Sequence, residues 1–243
     1  MTLIRRALLI LFLSILPAQI VPAAVPAHDW SKTVSRAPSG AFVLGNPAAR
    51  VRLVEYLSLT CPHCAHFEAE GIGPLTAKYI RPGLVSYEVR HALRDAYDYT
   101  ASLLARCDGP QAFFTTVPKV YARQDEWIAR ASSWAQTAQT EGETPDQLFP
   151  KLARGAGFDA LFGMTPGRMD ACIANQAERK LLEAQADEAW HRPGMTGTPA
   201  FMINGELQPD VGGWADLDAA LAHALHARAA PTRHPLPGKT RRK

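Results

Sequence analysis

Two cysteines separated by two residues, in Cys61-Pro62-His63-Cys64, can form and release a disulfide within a single turn of helix. The tetrapeptide follows the apolar run Val51 to Leu57 and precedes a helical pattern, which places Cys61 at a helix N-terminus. Amide N–H groups without intrahelical partners and the positive end of the helix dipole meet there, so a Cys61 thiolate is stabilised. His63 adds a donor or a positive charge beside it, and Pro62 suits the first turn because it has no N–H to lose. The competing chemistry is half of a structural zinc site, which wants four ligands, whereas Cys107 and Cys172 stand isolated in the sequence. The expectation is a redox dithiol, with no metal and no cofactor.

The elements that must position this pair can be read on either side of it. In a strand over Val51–Leu57 side chains alternate, so Leu53, Glu55 and Leu57 share one face, which puts a carboxylate on an apolar surface. Burial raises a carboxylic acid's pKa, and Glu55 is thus a candidate to exchange a proton with Cys64; a surface glutamate on an edge strand is the alternative. The helix from Pro62 carries Cys64, Phe67 and Leu75, and Gly71, Gly73 and Pro74 are expected to kink or break it. Val85, Tyr87 and Val89 alternate with polar residues as a second strand.

About a hundred residues of helical periodicity follow, with Tyr97, Ala101, Leu104 and Cys107 on one stripe and Met169, Cys172, Ile173 and Gln176 on another. Gln111–Arg123, Trp127–Thr140 and Pro145–Leu152 read as further short helices. Ala200–Ile203 is then a strand, Asn204-Gly205 a hairpin turn, and Ala215–Arg228 a closing helix with Trp214 beside the sheet. Ahead of the first strands, 28–39 reads as a flexible lead-in, followed by a short strand over Ala41–Leu44 and a turn at Gly45-Asn46-Pro47.

The two ends have a different character. Arg5 and Arg6, a short apolar run over 7–16 and small residues up to Ala27 form a secretory signal pattern, with an uncleaved anchor as the alternative. The formal net charge of +3 sits at the ends. Arg5 and Arg6 contribute two positive charges and Arg228, Arg233, Lys239, Arg241, Arg242 and Lys243 six more, which leaves the body at −5. A mildly acidic body argues against nucleic-acid binding. The tail 229–243, with three prolines, is expected to be solvated and disordered.

The stretch from Val54 to Cys64, with Cys-Pro-His-Cys at its end, resembles the active-site segment of DsbA-like thiol:disulfide oxidoreductases, thioredoxin-fold proteins of the bacterial periplasm. The resemblance implies an α/β thioredoxin fold with a large inserted helical domain. The expected organisation is a signal peptide over 1–27, thioredoxin-like parts over 28–94 and 193–228, the insertion over 95–192, and the tail. Glu55 matches the acidic residue that the family carries six positions before its first cysteine. Thr198-Pro199 matches the loop whose cis peptide bond lies against the active-site disulfide and whose backbone edge docks substrate; an ordinary turn proline is the alternative.

Four cysteines allow three pairings, and the adjacency of Cys61 and Cys64 favours Cys107 with Cys172 as a structural disulfide. Two buried free thiols remain the alternative, and relatives support the second disulfide only in part. The expected function is donation of the Cys61–Cys64 disulfide to reduced exported proteins in the periplasm, by a monomer reoxidised by a quinone-linked membrane protein. An isomerase or reductase would use the same residues, and a threonine before the cis-proline is common in isomerase relatives. Those relatives carry a dimerisation domain ahead of the thioredoxin frame, for which the stretch 28–39 leaves no room. A non-catalytic binding module with an incidental cysteine pair is the third reading.

Overall fold

A computed structural model describes residues 28–227; the expected signal segment 1–27 and the tail 229–243 lie outside them. The chain opens on β1 (Val34–Arg36), β2 (Phe42–Gly45) and β3 (Val51–Leu57), then α1 (Pro62–Leu75) and β4 (Val85–His91). Seven helices follow: α2 (Ala96–Arg106), α3 (Gly109–Ala122), α4 (Gln124–Ala135), α5 (Pro145–Gly155), α6 (Phe158–Phe162), α7 (Pro166–Ile173) and α8 (Gln176–Trp190). The chain then returns to the sheet as β5 (Ala200–Ile203) and β6 (Glu206–Leu207) and closes with α9 (Trp214–Ala227). This is a thioredoxin fold with a helical insertion between β4 and β5.

The sheet runs β1-β2-β4-β3-β5-β6, with β3 and β4 parallel and the other neighbours antiparallel. Every residue of β3 except Arg52 is buried, because helices cover both faces of the sheet. Leu53 and Leu57 face a core shared with Phe67 and Leu75 of α1, Phe113 of α3 and Leu217 and Leu221 of α9. Val54 and Tyr56, on the other face, pack with Ala189 of α8 and Met202 of β5. Glu55 lies on the first of these faces. Cys107 and Cys172 join the end of α2 to α7 through a disulfide with Cα atoms 5.5 Å apart.

Two expectations are corrected. The lead-in is structured: Trp30–Lys32 forms a 3-10 turn capped by Asp29, the Trp30 N–H donates to Arg81 O at 3.1 Å, and Val34–Arg36 pairs with β2 as an edge strand. A three-residue edge with one half-buried and two exposed positions carries no readable alternation. Helix α1 is not broken at Gly71, Gly73 or Pro74; it continues to Leu75 and into a widened π turn over Thr76–Ile80. The proline interrupts one backbone bond, and the wider turn keeps the chain helical beyond it. At Gly71 the absent side chain leaves room for the Phe67 ring, which would lie 2.4 Å from a Cβ there and which packs edge-on against Phe201 at 4.7 Å.

Candidate active site

Cys61 is the N-cap of α1, with extended backbone at φ −86° and ψ 120°, and Pro62 occupies the first helical turn. The chain leaves β3 at Leu57 and turns through a bond from the Cys61 N–H to Ser58 O at 3.1 Å. Cys61 Sγ lies 3.0 Å from Thr198 O, to which its thiol donates. That carbonyl belongs to the cis Thr198–Pro199 peptide, which leads into β5. The helix start and the Thr198–Pro199 loop therefore converge on one sulfur, although they are 137 residues apart in sequence.

The two sulfurs of the dithiol are driven in opposite directions. The Cys61 pKa is pulled down to about 5, first by the Cys64 thiol that donates to it, then by Thr198 and the backbone N–H groups of Cys64 and His63, against an opposing contribution from burial. The Thr198 hydroxyl is buried with no hydrogen-bond partner among the described residues, so it is free to donate once Cys61 loses its proton. Cys64 is pushed far above the ordinary thiol range by burial, by its donation to Cys61 and by the charges of Glu55 and Cys61. Cys61 is 2% exposed, but its neighbours Pro62 and His63 are exposed, so the sulfur lies just beneath the surface. The His63 backbone N–H is among the donors that lower Cys61.

Glu55 is buried on β3, and Tyr87 of β4 donates its hydroxyl to Glu55 Oε2. Burial raises the Glu55 pKa to about 8, with Tyr87 opposing and Glu68 and Cys61 adding to the rise. Near neutral pH this carboxyl keeps its proton; where it ionises, its charge pushes Cys64 further up. Glu68, one turn after Cys64 on α1, is raised by burial to about 7. It lines a cavity of about 240 Å³ with Tyr87, Leu57, Ile72 and Phe113. Tyr87, which donates to Glu55, and Glu68 thus both border that cavity, and sequence reasoning missed the role of each. The spacing of Glu68, four residues after Cys64, is the signal that could have found it. Among the described residues no group of three or more His, Cys, Asp or Glu side chains is arranged to hold a metal ion, and Cys107 and Cys172 are engaged with each other.

An N-cap cysteine with a lowered pKa, a buried partner cysteine and a cis-proline loop on one sheet end define a dithiol site of the thioredoxin type. Residues 38–223 match the thioredoxin family, and the chain belongs to that family. It is 36% identical to a protein-disulfide isomerase of Novosphingobium aromaticivorans, whose crystal structure superposes with a TM-score of 0.69 over 75% of this chain and 96% of that one. The structure of Wolbachia pipientis alpha-DsbA1, 20% identical over 80% of this chain and 95% of that one, shares the fold with a TM-score of 0.61. A Rickettsia conorii protein provisionally named a protein-disulfide oxidoreductase is 29% identical over 181 residues, which are 74% of this chain and 59% of that protein. The chain therefore spans about three-fifths of that relative's length.

Proposed function

We propose that the protein is a thiol:disulfide oxidoreductase that donates its Cys61–Cys64 disulfide to exported proteins. The observation that carries this reading is the asymmetry of the pair: Cys61 is held as a thiolate at a helix start while Cys64 is held as a buried thiol. A substrate thiolate attacks Cys61 Sγ, the Cys61–Cys64 bond breaks, and its electron pair leaves on Cys64. The protonated carboxyl of Glu55 supplies the proton that Cys64 takes up, and regains one from solvent on the side of Tyr87 and Glu68. A second substrate thiolate then attacks the substrate sulfur of the mixed disulfide, and Cys61 departs as a thiolate. The substrate is oxidised by two electrons and the protein is left reduced. A more acidic thiol is a better leaving group, so each interaction that favours the Cys61 thiolate makes the disulfide a stronger oxidant.

Substrate docks as an extended chain beside Thr198 and Pro199, where a cavity of about 140 Å³ is bordered by Thr196, Ala200, Leu207 and Gln208. The signal pattern in 1–27 and the Cys107–Cys172 disulfide support an oxidising compartment, which we take to be the periplasm. The protein acts as a monomer there, and a quinone-linked membrane protein reoxidises it. No described helix is long and apolar enough to cross a membrane.

The isomerase reading draws support from the name of the Novosphingobium relative and from the threonine before the cis-proline. The equilibrium reduction potential of the Cys61–Cys64 pair against glutathione separates the two directions, measured in a Cys107→Ser/Cys172→Ser background. A potential well above the glutathione pool is expected. A value below about −300 mV, as for ordinary structural disulfides, overturns the oxidase assignment.

A further inference from the structure

The segment Ser58–Cys61 bridges β3 and α1, and side chains of the helical insertion hold it at every residue. Tyr121 of α3 donates its hydroxyl to Ser58 O at 3.0 Å. Asp98 of α2 accepts the Leu59 N–H at 2.8 Å, and Asp95, which caps α2, accepts the Thr60 hydroxyl at 2.8 Å. Gln124, the first residue of α4, uses one nitrogen twice: Nε2 donates to Leu59 O at 2.8 Å and to Cys61 O at 3.1 Å. Both backbone polar groups of Leu59 are thus satisfied by side chains of other elements.

Gln124 is the member of this set that reaches the reactive residue itself. Its amide group has two hydrogens, and the two bonds hold the Leu59–Thr60 and Cys61–Pro62 peptide planes, the second of which directly flanks the Cys61 Cα. Those planes set the direction of the Cys61 Cα–Cβ bond and hence where Sγ sits between Cys64 and Thr198. Gln124 is 4% exposed, so water does not compete for either carbonyl. Thiol–disulfide exchange needs three sulfurs close to a line, and rates fall steeply when a reacting atom is misplaced.

We propose that Gln124 is a positioning residue for exchange at Cys61, a donor delivered by the helical insertion that clamps the carbonyls of Leu59 and Cys61. This rests on the reading of Cys61 as the exchanging sulfur. The test uses Gln124→Met, which keeps length and burial but removes both donors, and Gln124→Asn, which keeps the donors one methylene short. The readouts are the pH profile of iodoacetamide alkylation of the reduced protein and the rate at which the oxidised protein forms a mixed disulfide with a reduced cysteine peptide.

In both variants the alkylation midpoint is expected to rise and the exchange rate to fall roughly tenfold, with a cooperative melting transition retained. A lowered melting temperature with native midpoint and rate overturns the proposal and leaves Gln124 a packing residue. Should Gln124→Met not fold, the native protein decides. Gln124 side-chain amide protons that resist exchange with water and shift between disulfide and dithiol forms support the clamp, and rapidly exchanging protons with unchanged shifts refute it. A native protein whose Cys61 neither alkylates at low pH nor exchanges removes the underlying reading instead.

Discussion

The buried carboxyl of Glu55 predicts a particular pH dependence of stability. Below pH 4.5, its ordinary value, the folded and unfolded chains both hold the proton, and burial costs nothing. Above that pH the unfolded chain ionises freely while the folded chain must keep the proton until pH about 8. The cost therefore grows as pH rises, by about 1.4 kcal/mol per unit, from about 1 kcal/mol at pH 5 to about 3 kcal/mol at pH 7 and about 4 kcal/mol at pH 8. Glu55→Gln removes this slope while keeping an acceptor for Tyr87. The amide's own burial adds a pH-independent offset, so the informative quantity is the change in the difference between the two proteins. Urea unfolding of both, in a Cys61→Ser/Cys64→Ser background that removes thiol titration and leaves Cys107–Cys172 intact, measures it at pH 5, 6, 7 and 8. The gap should move by about 3 kcal/mol in favour of the glutamine variant across this range. A gap constant to within about 0.5 kcal/mol would refute a buried, proton-holding Glu55.

Four further outcomes are expected. The thiolate absorbance of the reduced protein should titrate with a midpoint near pH 5, and Cys64→Ala, which removes the principal donor to Cys61, should raise that midpoint towards 9, with Cys64→Ser in between. Thr198→Val should raise it by a smaller amount and lower the reduction potential, as read in a glutathione titration, because the buried hydroxyl can no longer meet the thiolate. Replacing Cys107 and Cys172 by serine opens a loop with a sequence separation of 65 and should lower the unfolding free energy by about 4 kcal/mol in denaturant titrations, with the Cys61–Cys64 potential unchanged. Tyr87→Phe removes the hydroxyl that opposes the rise at Glu55, so the acid limb of the pH–exchange-rate profile should move upward.

The residues with unusual chemistry were legible in the sequence because each sits in a pattern of its own. Cys61 and Cys64 announce themselves by spacing and Glu55 by a charge within an apolar alternation, whereas Thr198–Pro199 stood out through its resemblance to a family loop ahead of a short strand. Helices α2 and α9 followed from apolar residues at helical spacing, and the turn at Asn204-Gly205 has the positive φ values that this pair favours. What escaped were residues whose roles depend on distant partners. Tyr87 looked like one more apolar position of β4 until the parallel register set Leu53 opposite it and its hydroxyl reached Glu55. Gln124 is an ordinary polar residue at a helix start, and only the packing of α4 against the β3–α1 junction gives its amide two carbonyls. Val34–Arg36 is a strand because β2 offers an open edge, a property of the partner that local composition does not carry.

The separation between Cys61 and Thr198 also governs when the site comes into being. A chain made from its N-terminus presents both sulfurs while the loop that completes their surroundings is still 137 residues away. Leu59 and Cys61 find their carbonyl partner sooner, when Gln124 emerges, but the edge at Thr198 arrives only with β5. The surroundings of Cys61 are accordingly completed only near the end of the chain's own biogenesis, after the long-range pairing that folds slowest has been made.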